Sequence, residues 1–188
     1  MMPFIDLATQ RARLQDKLDT IISKIIAEGR YVLGPEVTEL EQRLAEFGQA
    51  DHALTCANGT DALALPLMAW ELQKGDAVFV PSFTFASTAE VVPLQGATPV
   101  FVDIDPDTYC MCPKSLAAAI EWTKTQSDLK PRVVIAVDLF GQPADYPAIS
   151  EICQAEGLKL IADSAQGFGC TLNGKHPAAW ADITTISF

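Results

Sequence analysis

The amino-acid sequence predicts an α/β fold in which a mostly parallel β-sheet is covered by helices on both faces. From residue 52 onward, short apolar runs alternate with segments of helical periodicity, which is the pattern of consecutive βαβ units. In the run 158–162, Lys159 is the only polar residue, as expected for a strand buried on both faces. Hydrophobic residues make up 49% and charged residues 20% of the 188 positions, which fits a globular protein rather than a disordered chain.

Two helices precede this alternation and are predicted to form an N-terminal helical segment over residues 1–50. Apolar residues recur at helical spacing between Leu14 and Ile26, and Gly29 is the predicted end of this helix. The second helix is predicted to begin at Pro35, because proline fits the first turn of a helix. Its buried stripe is predicted to consist of Val37, Leu40, Leu44 and Phe47.

Six strands and four intervening helices are predicted in the rest of the chain. The predicted strands are 53–56, 77–80, 99–104, 133–137, 158–162 and 183–188, and the predicted helices are 61–73, 87–94, 113–125 and 145–156. Pro66 lies inside the first of these helices and predicts a bend or an irregular start. Residues 126–132 are predicted to form a polar surface loop. The sequence ends at Phe188 within an apolar run, so we expect the chain to be a fragment.

The charge and the hydropathy pattern argue against several partners and locations. A net charge of −11 disfavours nonspecific binding to nucleic acid. No apolar run approaches the roughly 20 residues of a membrane span, and the N-terminus has no basic stretch followed by an apolar one. We therefore expect a cytoplasmic protein without a membrane partner. The five cysteines are scattered and odd in number, which favours reduced thiols.

No metal site is predicted from the sequence. Asp103, Asp105 and Asp107 have the spacing that begins a calcium-binding loop, but Thr108 and Lys114 stand where such a loop needs glycine and glutamate. The chain has two histidines, and neither has a second metal ligand close by in sequence, so a zinc site is not supported either.

Asp163 follows the buried run 158–162 and is the first candidate for a functional residue. Open α/β sheets bind ligands at the carboxyl ends of their strands, and an ionised carboxylate there needs a cation or several donors. The sequence leaves two interpretations open: Asp163 caps a turn, or it pairs with a positive ligand atom. Gln166 lies three residues further on and either belongs to the same capped turn or faces the same planar polar ligand.

The stretch 56–63 connects the first predicted strand to the first predicted helix after it. Gly59 would let the backbone approach a ligand closely, Thr60 offers a hydroxyl, and the helix N-terminus supplies N–H groups, so this stretch is a candidate phosphate site. The alternative is simple helix capping by Asn58, Thr60 or Asp61.

Two aromatic residues and one serine complete the set of candidates. Phe83 and Phe85 follow the second predicted strand, where one ring could stack on a flat ligand; otherwise both rings belong to the core. The core interpretation is favoured for Phe83 and less so for Phe85. Ser187 places a hydroxyl in an apolar run, where it needs a partner.

Six stretches of the sequence follow one another in a characteristic order. They are Asn58-Gly-Thr-Asp-Ala-Leu63, Pro81-Ser-Phe-Thr-Phe85, Val100-Phe-Val-Asp-Ile-Asp-Pro-Asp-Thr-Tyr109, Gly141-Gln-Pro-Ala-Asp145, Asp163-Ser-Ala-Gln166 and Ile186-Ser-Phe188. Together they resemble the ordered motifs of the DegT/DnrJ/EryC1/StrS sugar aminotransferases. The resemblance implies the fold-type I aminotransferase architecture, with residues 51–188 as a large domain that binds pyridoxal phosphate (PLP). That domain would be incomplete at the C-terminus, and its remainder and a small C-terminal domain would be absent.

The resemblance also implies roles for the candidate residues. Asp163 would pair with the protonated pyridine nitrogen of PLP, Gln166 would bind the ring hydroxyl, and Phe85 would stack on the ring. The phosphate would be held by Gly59, Thr60 and Ser187. The implied activity is amine transfer to a nucleotide-linked keto sugar, with glutamate as the donor, by a homodimer.

Two departures from the family pattern are visible. The family's Schiff-base lysine is expected just beyond Phe188, so no catalytic residue lies within the chain and the 188 residues alone are expected to be inactive. Asp138 stands where many relatives have histidine, which leaves its substrate contacts open. Strand 53–56 would also lack its neighbour, the strand after the lysine, and we expect the chain alone to be unstable or to aggregate.

These departures keep other functions open. Some relatives are sugar dehydratases, in which histidine replaces the lysine, and others act in regulation. A third interpretation is a noncatalytic truncated fragment or a binding module that retains a phosphate-ligand pocket.

Overall fold

A computed structural model describes residues 5–188; residues 1–4 of the predicted N-terminal segment lie outside it. The described residues divide into two compact units between Arg43 and Leu44. The predicted boundary at residues 50 and 51 stays a prediction.

The first unit contains helix α1 (Leu7–Glu28) and most of helix α2 (Pro35–Gly48). Asp6 caps α1 by accepting a hydrogen bond from the Thr9 N–H at 3.0 Å. Gly29 ends the helix in the left-handed conformation, with φ of 68°, which confirms the predicted stop.

The predicted buried stripe of α2 is wrong. No residue of α2 is buried, and the side chains of Leu40 and Phe47 are 41% and 49% exposed. The spacing of the stripe predicts a helix correctly, but a stripe becomes buried only where another element covers it. Within the described residues that cover is incomplete.

The second unit contains a five-stranded, fully parallel sheet, which confirms the predicted fold class. The strand order is β2-β1-β3-β4-β5. The strands are β1 (Asp76–Pro81), β2 (Thr98–Val102), β3 (Lys130–Val137), β4 (Lys159–Asp163) and β5 (Ile183–Thr185). The helices are α3 (Gly59–Ala69), α4 (Ser87–Leu94), α5 (Pro113–Gln126) and α6 (Tyr146–Glu156).

Several predicted segments differ from the structure. Helix 61–73 ends already at Ala69, and strand 99–104 ends at Val102. The predicted strand 53–56 is not a strand, and Leu54 is 80% exposed. A short apolar run becomes a strand only when a neighbouring strand bonds to it, and the sheet's five strands do not include this segment. The strand predicted at 183–188 ends already at Thr185. The predicted loop 126–132 overlaps β3, because the Lys130 N–H donates to the Gly75 carbonyl oxygen at 2.8 Å and extends the ladder.

Helices cover both faces of the sheet. One buried cluster contains Phe79 of β1, the second strand in the sheet order, together with side chains of α5 and α6. The other contains Val78 and Val80 of the same strand, together with side chains of α3 and α4. Alternate side chains of β1 therefore belong to two separate hydrophobic cores, one on each face of the sheet, as expected of a parallel sheet.

Phe79 gives a direct test of this core. It is completely buried in β1, and replacing it with alanine leaves a cavity, so Phe79→Ala is expected to lower the free energy of unfolding by about 3–5 kcal/mol. Phe101→Ala on the neighbouring strand β2 is the matched control, because that ring is 60% exposed. Urea denaturation of the purified protein measures both changes, and equal losses in the two variants would contradict the described core.

Candidate functional site

A cavity of about 160 Å³ lies at the carboxyl ends of β3 and β4, against the start of α3. This is where ligands bind in open parallel sheets. Its lining includes every site residue that the sequence predicts, namely Gly59, Thr60, Phe85, Asp163, Gln166 and Ser187. The structure thus brings together residues that are spread over more than two thirds of the sequence.

Asp163 is the last residue of β4 and is 4% exposed. Its carboxylate accepts a hydrogen bond from the Thr88 hydroxyl at 3.0 Å and one from the Ala165 N–H at 3.3 Å. Among residues 5–188, no lysine, arginine or histidine forms an ion pair with it. Burial raises the pKa of this carboxyl, and the nearby Asp138 adds to that rise. A positive ligand atom in the cavity would therefore relieve an uncompensated buried charge.

At the start of α3, the structure supports helix capping by Asn58 and is also compatible with a phosphate site. Asn58 is the cap, and its side-chain oxygen accepts a hydrogen bond from the Asp61 N–H at 2.8 Å. Gly59 has a separate reason to be glycine: a Cβ there would lie 3.1 Å from the Ser187 Cβ and 3.2 Å from its hydroxyl oxygen. The absence of a side chain lets the Ser187 hydroxyl approach the first turn of the helix beside Thr60, where an anion is favoured.

Gln166 has one end of its amide fixed. Its side-chain oxygen accepts a hydrogen bond from the Phe140 N–H at 2.7 Å. Because a backbone N–H can only donate, the amide oxygen is the atom that faces Phe140, and the NH₂ group is the end left to donate to a ligand. This contact joins residues that are 26 positions apart in the sequence, so Gln166 does more than cap its own turn.

The two aromatic residues after β1 occupy different positions. Phe85 lines the cavity and is 70% exposed, which suits a ring that stacks on a ligand. Phe83 was expected in the core, but its ring is 49% exposed and instead packs near Tyr109 and Phe140, at centroid distances of 6.0 and 6.5 Å. The core prediction for Phe83 is wrong because the chain leaves the sheet at Pro81, before the ring.

Sequence reasoning missed three hydroxyls around Asp163. Thr84 and Ser87 line the cavity, and the Thr84 and Thr88 hydroxyls share a hydrogen bond of 3.1 Å that continues to the Asp163 carboxylate. Threonine and serine near a helix start are usually caps, so their sequence position does not reveal this role. Thr88 is 75 residues away from Asp163, and only the fold brings the two together.

Metal binding finds no support in the described part of the chain. Asp105 uses its carboxylate within its own turn, where it accepts hydrogen bonds from the N–H groups of Asp107 at 2.9 Å and Thr108 at 3.1 Å. Residues 5–188 contain no group of three or more side chains placed to hold a metal ion. In the same range, no helix has the length and apolar character needed to cross a membrane.

The raised pKa of Asp163 predicts a pH dependence of stability. Its folded pKa lies above the unfolded value of about 3.9, so the folded state binds the proton more tightly and loses stability as pH rises from that value through the folded pKa. Because asparagine has no carboxyl group to titrate, the Asp163→Asn variant does not show this loss of stability. The unfolding free energy of the variant minus that of the parent protein, both free of cofactor, should therefore rise across this window, measured by urea denaturation at a series of pH values. A difference that stays constant with pH would contradict the assignment.

Comparison with known proteins points to one family. The sequence profile of the DegT/DnrJ/EryC1/StrS aminotransferase family matches residues 13–188. The chain is 46% identical over 188 residues to the UDP-2-acetamido-2-deoxy-3-oxo-D-glucuronate aminotransferase of Pseudomonas aeruginosa, and the match covers 100% of this chain and 50% of that protein.

Solved structures agree with this match. The crystal structure of a DegT DnrJ EryC1 StrS aminotransferase from Brucella abortus superimposes with a TM-score of 0.86 at 55% identity, over 88% of this chain and 44% of that one. The structure of NtdA from Bacillus subtilis with bound cofactor PMP has a TM-score of 0.81 at 32% identity, over 93% of this chain and 38% of that one. The chain thus spans between 38% and 50% of the length of these three proteins.

Proposed function

Because the chain belongs to the DegT/DnrJ/EryC1/StrS aminotransferase family, we propose that it forms the cofactor-binding part of a PLP-dependent aminotransferase. The proposed acceptor is a nucleotide-linked keto sugar, and the proposed amino donor is glutamate. The identity to the UDP-linked sugar aminotransferase of Pseudomonas aeruginosa supports the substrate class. The observation that carries the proposal is the buried Asp163 carboxylate, which lines the cavity without a cationic partner in the described residues.

The residues around the cavity fit this cofactor. A pyridine ring with a protonated nitrogen is the positive, planar group that Asp163 needs, and Phe85 offers a ring to stack on it. A phosphate suits the start of α3, where the helix dipole favours negative charge and the space that a Cβ on Gly59 would fill stays open beside Ser187. With a net charge of −11, the protein repels anions at long range, so such local donors are required.

Each residue has a defined part in the proposed mechanism. Bound PLP supplies an electron-withdrawing ring that accepts the electron pair of a broken C–H bond during amine transfer. An ionised Asp163 would hold the proton on the ring nitrogen. The Thr88 hydroxyl and the Ala165 N–H hold the Asp163 carboxylate in place, and the NH₂ group of Gln166 would donate to the ring hydroxyl.

The coverage of the relatives supports a proposal about the rest of the protein. The chain matches 50% of the Pseudomonas aeruginosa enzyme, so we place the Schiff-base lysine and a small C-terminal domain in a portion that follows Phe188. In this arrangement, residues 1–50 form a helical segment and residues 51–188 form part of the large domain. The predicted strand 53–56 would then gain its neighbour from that portion.

We also propose that the protein is a homodimer and that it is cytoplasmic. Helix α1 supports the homodimer because it has no buried residue, and its apolar side chains Leu14, Leu18, Ile21, Ile22 and Ile26 are 40–63% exposed. Ile22→Lys is expected to shift the protein toward the monomer in light scattering. Ala27→Lys adds the same charge on the opposite side of the helix and should not do so. Equal behaviour of the two variants would argue against α1 as an interface.

The decisive experiment uses the full-length protein reconstituted with PLP. Incubation with glutamate alone should release about one equivalent of 2-oxoglutarate per bound cofactor, because a transaminase completes this half of its reaction without the sugar. Adding a UDP-linked 3-oxo sugar should then restore the cofactor and yield the amino sugar. Loss of water from the sugar without amine transfer would favour the dehydratase alternative. Cofactor binding without either reaction would favour a noncatalytic binding protein.

A further inference from the structure

Asp138 is a completely buried carboxylate that does not line the cavity. It lies one residue beyond the end of β3, next to the end of β4. One carboxylate oxygen accepts hydrogen bonds from the Tyr146 hydroxyl at 2.7 Å and the Ala144 N–H at 3.1 Å. The other accepts from the Ser164 hydroxyl at 2.5 Å and the Cys170 thiol at 3.5 Å. These four donors match the four acceptor sites of an ionised carboxylate, so its burial is compensated and the groups that donate to it are held in place.

The two oxygens connect different parts of the chain. The donors on the first oxygen are Tyr146, the first residue of α6, and Ala144, two residues before it. Both donors on the second oxygen belong to the segment 164–170, which we call the anchored loop. The backbone N–H of Asp138 also donates to the Asp163 carbonyl oxygen at 3.0 Å. Asp138 therefore holds the anchored loop at both ends and holds β4 where that loop begins.

Gly167 shows how closely the anchored loop fits against Asp138. A Cβ at Gly167 would lie 2.6 Å from the Asp138 Cβ and 2.9 Å from one of its carboxylate oxygens, closer than non-bonded atoms can approach. Glycine at this position is therefore needed for the loop to reach the Asp138 carboxylate.

The anchored loop carries two groups of the candidate site. Its Ala165 N–H donates to the Asp163 carboxylate, and its Gln166 amide lies at the cavity. We propose that Asp138 is a positioning residue, which fixes the anchored loop so that Asp163 and Gln166 face a pyridine-type ligand in the correct orientation. The proposal rests on the proposed function for the identity of that ligand. The competing explanation is that Asp138 only stabilises the fold.

Two variants separate these explanations because each removes one hydroxyl donor from the same carboxylate. Ser164→Ala removes the donor at the start of the anchored loop, whereas Tyr146→Phe removes a donor of α6, outside the loop. Both side chains are buried, at 2% and 0% exposure, so both variants should lose stability. Only Ser164→Ala should also raise the Kd for pyridoxamine phosphate, by about threefold or more, and speed hydrogen exchange of the amides of residues 164–170.

Substitutions of Asp138 itself should have the larger effect on ligand affinity, and a conservative substitution should restore most of it. Asp138→Ala leaves all four donors without an acceptor and should raise the Kd for pyridoxamine phosphate by about tenfold or more. Asp138→Asn keeps the oxygen that faces α6, and the Ser164 hydroxyl can rotate to accept from its new NH₂ group, so most of the affinity should return.

Calorimetric titration of the full-length protein, together with exchange measured by mass spectrometry, tests the proposal. An unchanged Kd and unchanged loop exchange in Asp138→Ala, beside a parent protein that binds, would overturn the positioning role alone. Equal changes of affinity in Ser164→Ala and Tyr146→Phe would also overturn it. If the parent protein fails to bind pyridoxamine phosphate, the proposed function falls, and the role of Asp138 toward that ligand falls with it.

Discussion

Asp163→Asn is expected to weaken PLP binding by at least about 30-fold and to abolish measurable amine transfer. Removing one partner of a buried, hydrogen-bonded charge pair costs about 2–5 kcal/mol, and 2 kcal/mol corresponds to about 30-fold in Kd. The asparagine side chain keeps the size of aspartate and can still bond to Thr88 and Ala165. It cannot neutralise a protonated pyridine nitrogen, so the loss should come from charge rather than from misfolding.

The matched control is Asp76→Asn. Asp76 is as deeply buried as Asp163, at 3% against 4% exposure, but it begins β1 at the opposite end of the sheet and pairs with Arg132 at 3.1 Å. Breaking that pair should lower the melting temperature and leave the Kd for PLP unchanged. Absorbance titration with PLP and a thermal melt on each variant distinguish the two effects. Normal turnover in Asp163→Asn would refute the proposed role of this residue.

The strands that the sequence predicts well are those that are buried on both faces. Such strands consist of apolar residues almost throughout, so β1, β3 and β4 are visible from composition and from the helical segments between them. The segment 53–56 has the same apolar character but is not a strand, since strand formation also depends on a bonded neighbour. The local sequence shows whether a segment is apolar, but it does not show which strand, if any, will pair with it.

The same distinction applies to the candidate site. Gly59, Asp163 and Gln166 stand at ends of predicted elements, and the topology of a parallel sheet brings such ends together. Thr88 and Asp138 also stand at ends of predicted elements, but nothing in the local sequence indicates which residues they contact. Their contacts join residues from distant segments, and no local pattern marks a buried carboxylate that accepts four hydrogen bonds. These groups hold the site in place rather than form its surface.

Gly167→Ala is expected to have the second large effect. The added methyl group would lie 2.6 Å from the Asp138 Cβ, an atom fixed to the backbone that cannot rotate away. The anchored loop must therefore move, which should lower the free energy of unfolding by about 1–3 kcal/mol. The shift would also displace Gln166 and the Ala165 N–H, so the affinity for PLP should fall together with stability.

Gly48→Ala is the control for this change, because a Cβ at Gly48 would meet no atom within 4 Å. At the end of α2, alanine should change the free energy of unfolding by no more than about 1 kcal/mol and leave the affinity for PLP unaltered. Urea denaturation and PLP titration of both variants give the comparison. If Gly167→Ala binds PLP as tightly as Gly48→Ala, the loop can adapt without moving the site. The close fit between Gly167 and Asp138 would then serve packing only.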